Sequence, residues 1–144
     1  MINIPLLCAV LSWVLAQLIK TVISVIKLKR FDFVQFWASG GMPSSHSSTV
    51  TALATSCGSL YGFDSGIFAV AAVLALVVMY DAAGVRRAVG QQARILNKIT
   101  TSLAKKEPVE ASVLRELVGH TPLQVVVGGL LGIAVGYLLP FFWC

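Results

Sequence analysis

Apolar residues run in long blocks broken by short polar stretches, and the block lengths set the first expectation. Ile4–Ile26 is almost uninterrupted and long enough for one helical span, which takes ~20 residues. A second block, His46–Tyr61, is shorter and rich in small residues. Within it Ser48, Ala52, Thr55 and Ser59 recur at helical spacing, a pattern that lets membrane helices pack closely. Gly62–Ser65 reads as a turn, and a third block runs from about Gly66 to Tyr80. This pair reads as two spans or as a shallow hairpin. Both readings return His46 and Asp81 to the same side. A fourth block runs from His120 to about Trp143. Along it His120, Gln124, Gly128, Gly132 and Gly136 step by four, which holds them near one face of a helix beginning at His120. Glycines let a neighbouring helix approach, so this face, and His120 with it, is expected to point into the bundle.

Between the third and fourth blocks the pattern changes. Val85, Val89, Gln92, Leu96, Ile99 and Leu103 alternate four- and three-residue steps, with Arg86, Arg87, Arg94, Lys98, Lys105 and Lys106 mostly off that stripe. The spacing predicts a basic amphipathic helix, suited to the headgroup layer or to pairing with another helix. Glu107-Pro108 ends it, and Val109–Val118 reads as a short helix closed by Gly119. The expected architecture is all-α: one domain over residues 1–144, an integral membrane bundle of about four apolar segments plus a cytoplasmic basic amphipathic helix.

Composition agrees with a membrane protein, at 57% hydrophobic residues and a mean hydropathy of +0.85. The first block lacks a basic leader and is long enough to span, so it is read as a helix of the protein and not as a signal peptide. The net charge is +5, and every Lys and Arg lies in Lys20–Arg30 or Arg86–Arg115. The positive-inside rule puts both regions on the cytoplasmic face of the cell (inner) membrane, in a multi-pass chain. Charge of this kind lies beside anionic headgroups and does not call for nucleic acid. Phe31–Trp37 places aromatics as an interfacial belt would. Lys20, near the cytoplasmic end of the first block, either snorkels to the interface, the favoured reading, or turns inward toward a phosphate. Cys8, Cys57 and Cys144 share no metal-ligand spacing and suggest no disulfide framework.

The longest polar run, Gly40-Gly41-Met42-Pro43-Ser44-Ser45-His46-Ser47-Ser48, has the order of a phosphate site. Glycines admit close backbone approach, and Pro43 and the serines suit a helix start, whose N–H groups attract an anion. The bland alternative is a Ser-rich cap with an incidental histidine. Both histidines, Asp81 and the candidate cations Lys20, Arg30, Arg86 and Arg87 nevertheless fall on one membrane face. Phosphoryl transfer uses such a set: cations and helix N–H groups hold the oxygens, one histidine attacks and the other protonates the leaving oxygen. A carboxylate or an amide can fix the imidazole tautomer. No metal and no cofactor is expected.

The segments GGMPSSHSS, YDAAGVRRAVGQQA and GHTPLQVVVGGLLG resemble the divergent branch of the type 2 phosphatidic acid phosphatase superfamily, over nearly the whole chain. That resemblance implies metal-independent hydrolysis of phosphate esters. It matches Pro43-Ser44-Ser45-His46 to a Pro-Ser-Gly-His motif, with Ser45 in place of glycine. It implies His46 as general acid, Ser44 (with Ser45 beside it) as a phosphate-loop donor, His120 as nucleophile, and Arg86 or Arg87 as phosphate clamp. Lys20 or Lys27 with Arg30 stands in for a first Lys/Arg motif, without its proline. Gln124 occupies the place of the orienting aspartate, so either an amide does a carboxylate's work or Asp81 substitutes as the catalytic acid residue. The candidate substrates are phosphatidate-like lipids, phosphatidylglycerophosphate or prenyl (di)phosphates, hydrolysed through a phosphohistidine at the leaflet that the charge bias makes cytoplasmic.

Gln124 also supports a second reading, a catalytically inactive lipid-phosphate binder or helix-bundle partner. The glycine stripe and the amphipathic helix are compatible with a homo-oligomer. A transporter or channel subunit is set aside, because the third and fourth blocks offer almost no polar residues.

Overall fold

The computed structural model describes residues 2–28, 41–104 and 120–143, with side chains at 27–28, 85–88, 91, 102–104 and 143 excepted. The aromatic belt, Arg30, the break at Glu107-Pro108, and the short helix with its Gly119 cap lie outside the described residues. Within them the chain forms five helices: α1 (Ile4–Leu28), α2 (Ser45–Tyr61), α3 (Gly66–Ala83), α4 (Val85–Ala104) and α5 (Pro122–Trp143). Three are long and apolar enough to cross a membrane: α1 over Ile4–Ile26, α3, and α5 over Pro122–Phe142.

The fourth member of the bundle, α2, is a different kind of helix. It packs against α1, α3 and α5, so the three apolar helices enclose it. Its buried residues are nearly all small: Ser45, Ser47, Ser48, Thr51, Ala52, Ala54, Thr55, Ser56, Cys57 and Gly58. Hydroxyls this deep need acceptors, because no water competes for them. The helix's own carbonyls supply several, with Thr49 and Thr51 donating back to Ser45 and Ser47 at 2.7 Å and Ser56 donating to Leu53 at 2.9 Å.

Contacts along α2 give the directions. Ser44 meets Gly128, Thr51 meets Gly132 and Thr55 meets Gly136, so α2 and α5 run parallel. A Cβ added at any of these three glycines would collide with α2 backbone, which is why the four-residue glycine step faces inward as expected. Against α1 the order is reversed. The Lys20 stem lies over Gly41, while Ser12 Oγ sits 2.5 Å from Ser48 Oγ and donates to Ser48 O at 3.1 Å. Ser48 Oγ returns a bond to Ser12 O at 3.3 Å. Hydrogen bonds between membrane helices contribute modestly. Ser12→Val should therefore lower stability by ~1 kcal/mol, read from the midpoint of unfolding in denaturing detergent.

A four-residue turn joins α2 to α3. Gly62 adopts a φ of 93°, and Ser65 caps α3 by accepting from Phe68 N. The α2–α3 hairpin returns the chain to the end where α2 began. There α3 runs to Ala83, past the expected end at Tyr80, and Gly84 separates it from α4. Among the described helices α4 touches α3 alone. The end of α1, the starts of α2 and α5 and the end of α3 thus share one end of the bundle.

Candidate functional site

The site is built where two parallel helices start. Ser44 is the N-cap of α2: its Oγ accepts from Ser47 N at 3.3 Å and from Ser47 Oγ at 3.1 Å, and it is fully buried. Its own N–H donates to Gln124 O at 3.0 Å, which fixes the start of α2 against the first turn of α5. Ser45, the first residue of α2, is buried beside it, and His46 follows, half-buried. Two helix N-termini therefore point their partial positive charge to the same end.

The start of α5 differs from the sequence expectation. The helix begins at Pro122, and His120 precedes it. Thr121 and Gln124 form a reciprocal capping pair: Gln124 N donates to Thr121 Oγ1 at 3.4 Å, and Thr121 N donates to Gln124 Oε1 at 3.0 Å. Pro122 takes the first helical position, where a missing N–H costs nothing. His120 reaches the site through this turn and through its backbone N–H, which donates to Ala82 O at the end of α3 at 3.2 Å. The Thr-Pro-Leu-Gln spelling carries this capping signal, and Thr121 is the site residue that the sequence reading passed over.

The same turn determines the His120 tautomer. A peptide N–H only donates, so the Gln124 atom facing Thr121 N is the amide oxygen. That oxygen lies 3.2 Å from His120 Nδ1, which must then carry the proton in the neutral ring. Nε2 is then the unprotonated ring nitrogen. His120 is 4% exposed, and its ring centroid lies 6.1 Å from that of His46, the planes meeting at 60°. Two histidines that are far apart in sequence stand edge to face.

Lys20 does not snorkel. It is 5% exposed, and its aliphatic stem packs over Gly41, where an added Cβ would stand 3.0 Å from Lys20 Cδ. Gly41 has a φ of 87°, a backbone state that glycine adopts without a steric penalty. The burial of Lys20 therefore goes against snorkelling, the favoured reading, and its stem lies against Gly41.

Asp81 is half-buried and immediately precedes Ala82, whose carbonyl holds His120. Gln124 Oε1 makes the bond to His120 Nδ1 that an orienting carboxylate would make. Arg86 and Arg87 occupy the first turn of α4, at the same end as Asp81, with their side chains outside the described residues.

An uncharacterized membrane protein of Bacillus subtilis (strain 168), YuiD, is 41% identical over 152 residues, which cover 98% of this chain and 96% of that protein. No solved structure matches. The family model described as the divergent PAP2 family matches residues 1–135, which include the α2 serines, both histidines and Gln124, and the chain belongs to that family.

Proposed function

We propose that the protein is a metal-independent phosphatase of membrane lipid phosphates, acting at the cytoplasmic leaflet through a phosphohistidine. The observation that carries this reading is the His46–His120 pair, with His120 Nδ1 held by Gln124 at the joint start of α2 and α5. The orientation follows from charge. Lys20 on α1 and Arg86 and Arg87 at the start of α4 belong to the end of the bundle that holds the histidines, while the Gly62–Ser65 turn at the other end has no Lys or Arg. Candidate substrates are phosphatidate-like lipids, phosphatidylglycerophosphate and prenyl phosphates, whose ester or diphosphate groups lie at the depth where these helices start.

In the proposed reaction His120 Nε2 attacks phosphorus, and an N–P bond forms as the P–O bond to the lipid breaks. His46 gives its proton to the departing lipid oxygen. Water then attacks phosphorus and loses a proton to His46. The N–P bond breaks and inorganic phosphate leaves. Helix N–H groups of α2, Lys20, Arg86 and Arg87 hold the non-bridging oxygens, where negative charge is greatest. Arg30, Ser44 and Ser45 belong to the same proposed cradle, and Asp81 balances the cations from the end of α3.

Gln124 is the distinctive part of this design. Its oxygen selects the tautomer as an aspartate would, without a negative charge to stabilise the imidazolium that phosphorylation creates. Gln124→Glu keeps the capping pair and adds that charge, so it should retain turnover and shift upward the pH at which activity rises. Gln124→Leu should lower kcat by ~10–100-fold with KM little changed, by analogy with the loss of an orienting group. Steady-state phosphate release over a pH series checks both.

The reading is tested by phosphate release from detergent-purified protein with a panel of these lipids and EDTA present. Release that survives the chelator is the expected result. The same protein binding lipid phosphate and releasing none would favour the binder, the reading that the neutral Gln124 supports.

A further inference from the structure

The basic amphipathic helix has one face that the protein leaves bare. Helix α4 turns Gly90 and Ala93 inward, both buried. Around the rest of its surface Val89, Ile95, Leu96 and Ile99 are 45–59% exposed. Arg94 and Lys98, four residues apart and exposed, form a basic flank that borders this stripe at Ile95. The helix thus has three sides: a small-residue side toward the protein, an apolar side and a basic side.

Two observations say what meets the apolar side. Gly84 is the whole link between α3 and α4, and one residue spans only ~3.8 Å, so α4 cannot leave the membrane boundary where α3 ends. The lipid-exposed surface of α3 also continues to that boundary, with Val77 and Tyr80 both exposed. A basic flank beside an apolar stripe, held at this depth, complements an anionic leaflet.

We infer that α4 is an interfacial anchor, lying along the membrane with Ile95, Leu96 and Ile99 in the acyl boundary and Arg94 and Lys98 among anionic headgroups. The anchor has a consequence for the histidines. His120 is bonded to Ala82 O, next to the α3–α4 link, so α4 sets the depth of the pair at the level of lipid headgroup phosphates. This inference does not rest on turnover and holds for a hydrolase or a binder.

Site-directed spin labelling of the full chain tests it, with the native cysteines replaced by alanine and the labels carried on Arg94→Cys, Leu96→Cys, Lys98→Cys and Ile99→Cys one at a time. The protein is placed in vesicles of phosphatidylethanolamine and phosphatidylglycerol. Labels at 96 and 99 should collide with oxygen and be shielded from a water-soluble nickel chelate, with the reverse at 94 and 98. In vesicles of phosphatidylcholine alone the labels at 96 and 99 should sit shallower. Equal nickel access at all four positions would overturn the anchor. So would dipolar broadening at 96 and 99, which would make the face a contact with a second copy. An unchanged depth in phosphatidylcholine would overturn the pairing with anionic headgroups.

Discussion

His120→Ala should abolish phosphate release, a loss of at least ~10³-fold in kcat, because in the proposed reaction His120 supplies the atom that bonds to phosphorus. The substitution spares the fold's supports at this point: the backbone N–H to Ala82 O and the Thr121–Gln124 capping pair use no imidazole atom. Binding of lipid phosphate by the variant therefore separates lost chemistry from lost structure. His46→Ala should cost ~10²–10⁴-fold with lipid substrates, the range for a general acid. Its deficit in the phosphohistidine-forming step should shrink with p-nitrophenyl phosphate, whose leaving group departs without a proton, while the deficit in the water-attack step should stay. A His120→Ala variant with undiminished release would remove the nucleophile from the account.

The second large effect concerns the bundle itself. Gly132 faces Ser48 O and Thr51 Oγ1, and an added Cβ there would meet both at a distance no real side chain occupies. Backbone on both sides has nowhere to yield. Gly132→Val should force α2 and α5 apart, costing ~3 kcal/mol or more, at the upper end for overpacking, and should leave little folded protein in detergent. Gly66→Ala is the matched control, since nothing lies within 4 Å of a Cβ at that glycine. Size-exclusion profiles and thermal unfolding of the two variants side by side check the contrast.

The membrane class, the helix boundaries of α1 and α2 and the inward glycine stripe were legible in the sequence because each rests on local spacing. The glycines at 128, 132 and 136 are an example: four-residue steps need no partner to be seen, and the partner proved to be the small-residue face of α2. Lys20 was not legible in the same way. Its burial brings in Gly41, which is distant in sequence and lies against the lysine stem in the fold. The place of His120 was right in level and different in kind. The four-residue spacing puts His120 on the inward face if the helix begins there, and Thr121 with Gln124 instead caps a helix beginning at Pro122, leaving the histidine outside it. Periodicity followed Gln124 as a face residue, whereas its working role comes from the turn, where one oxygen serves both a backbone N–H and an imidazole. The apolar stripe of α4 was visible as a pattern, but only the structure leaves that stripe uncovered by the rest of the bundle.

Trapping the covalent intermediate tests the central claim most directly. Purified protein would be mixed with a ³²P-labelled lipid phosphate in EDTA, quenched in alkali, and mapped for label. The account predicts an alkali-stable, acid-labile phosphate on His120, absent from His120→Ala. Label that persists in His120→Ala, or lipid bound by folded wild type with neither label nor released phosphate, would contradict it.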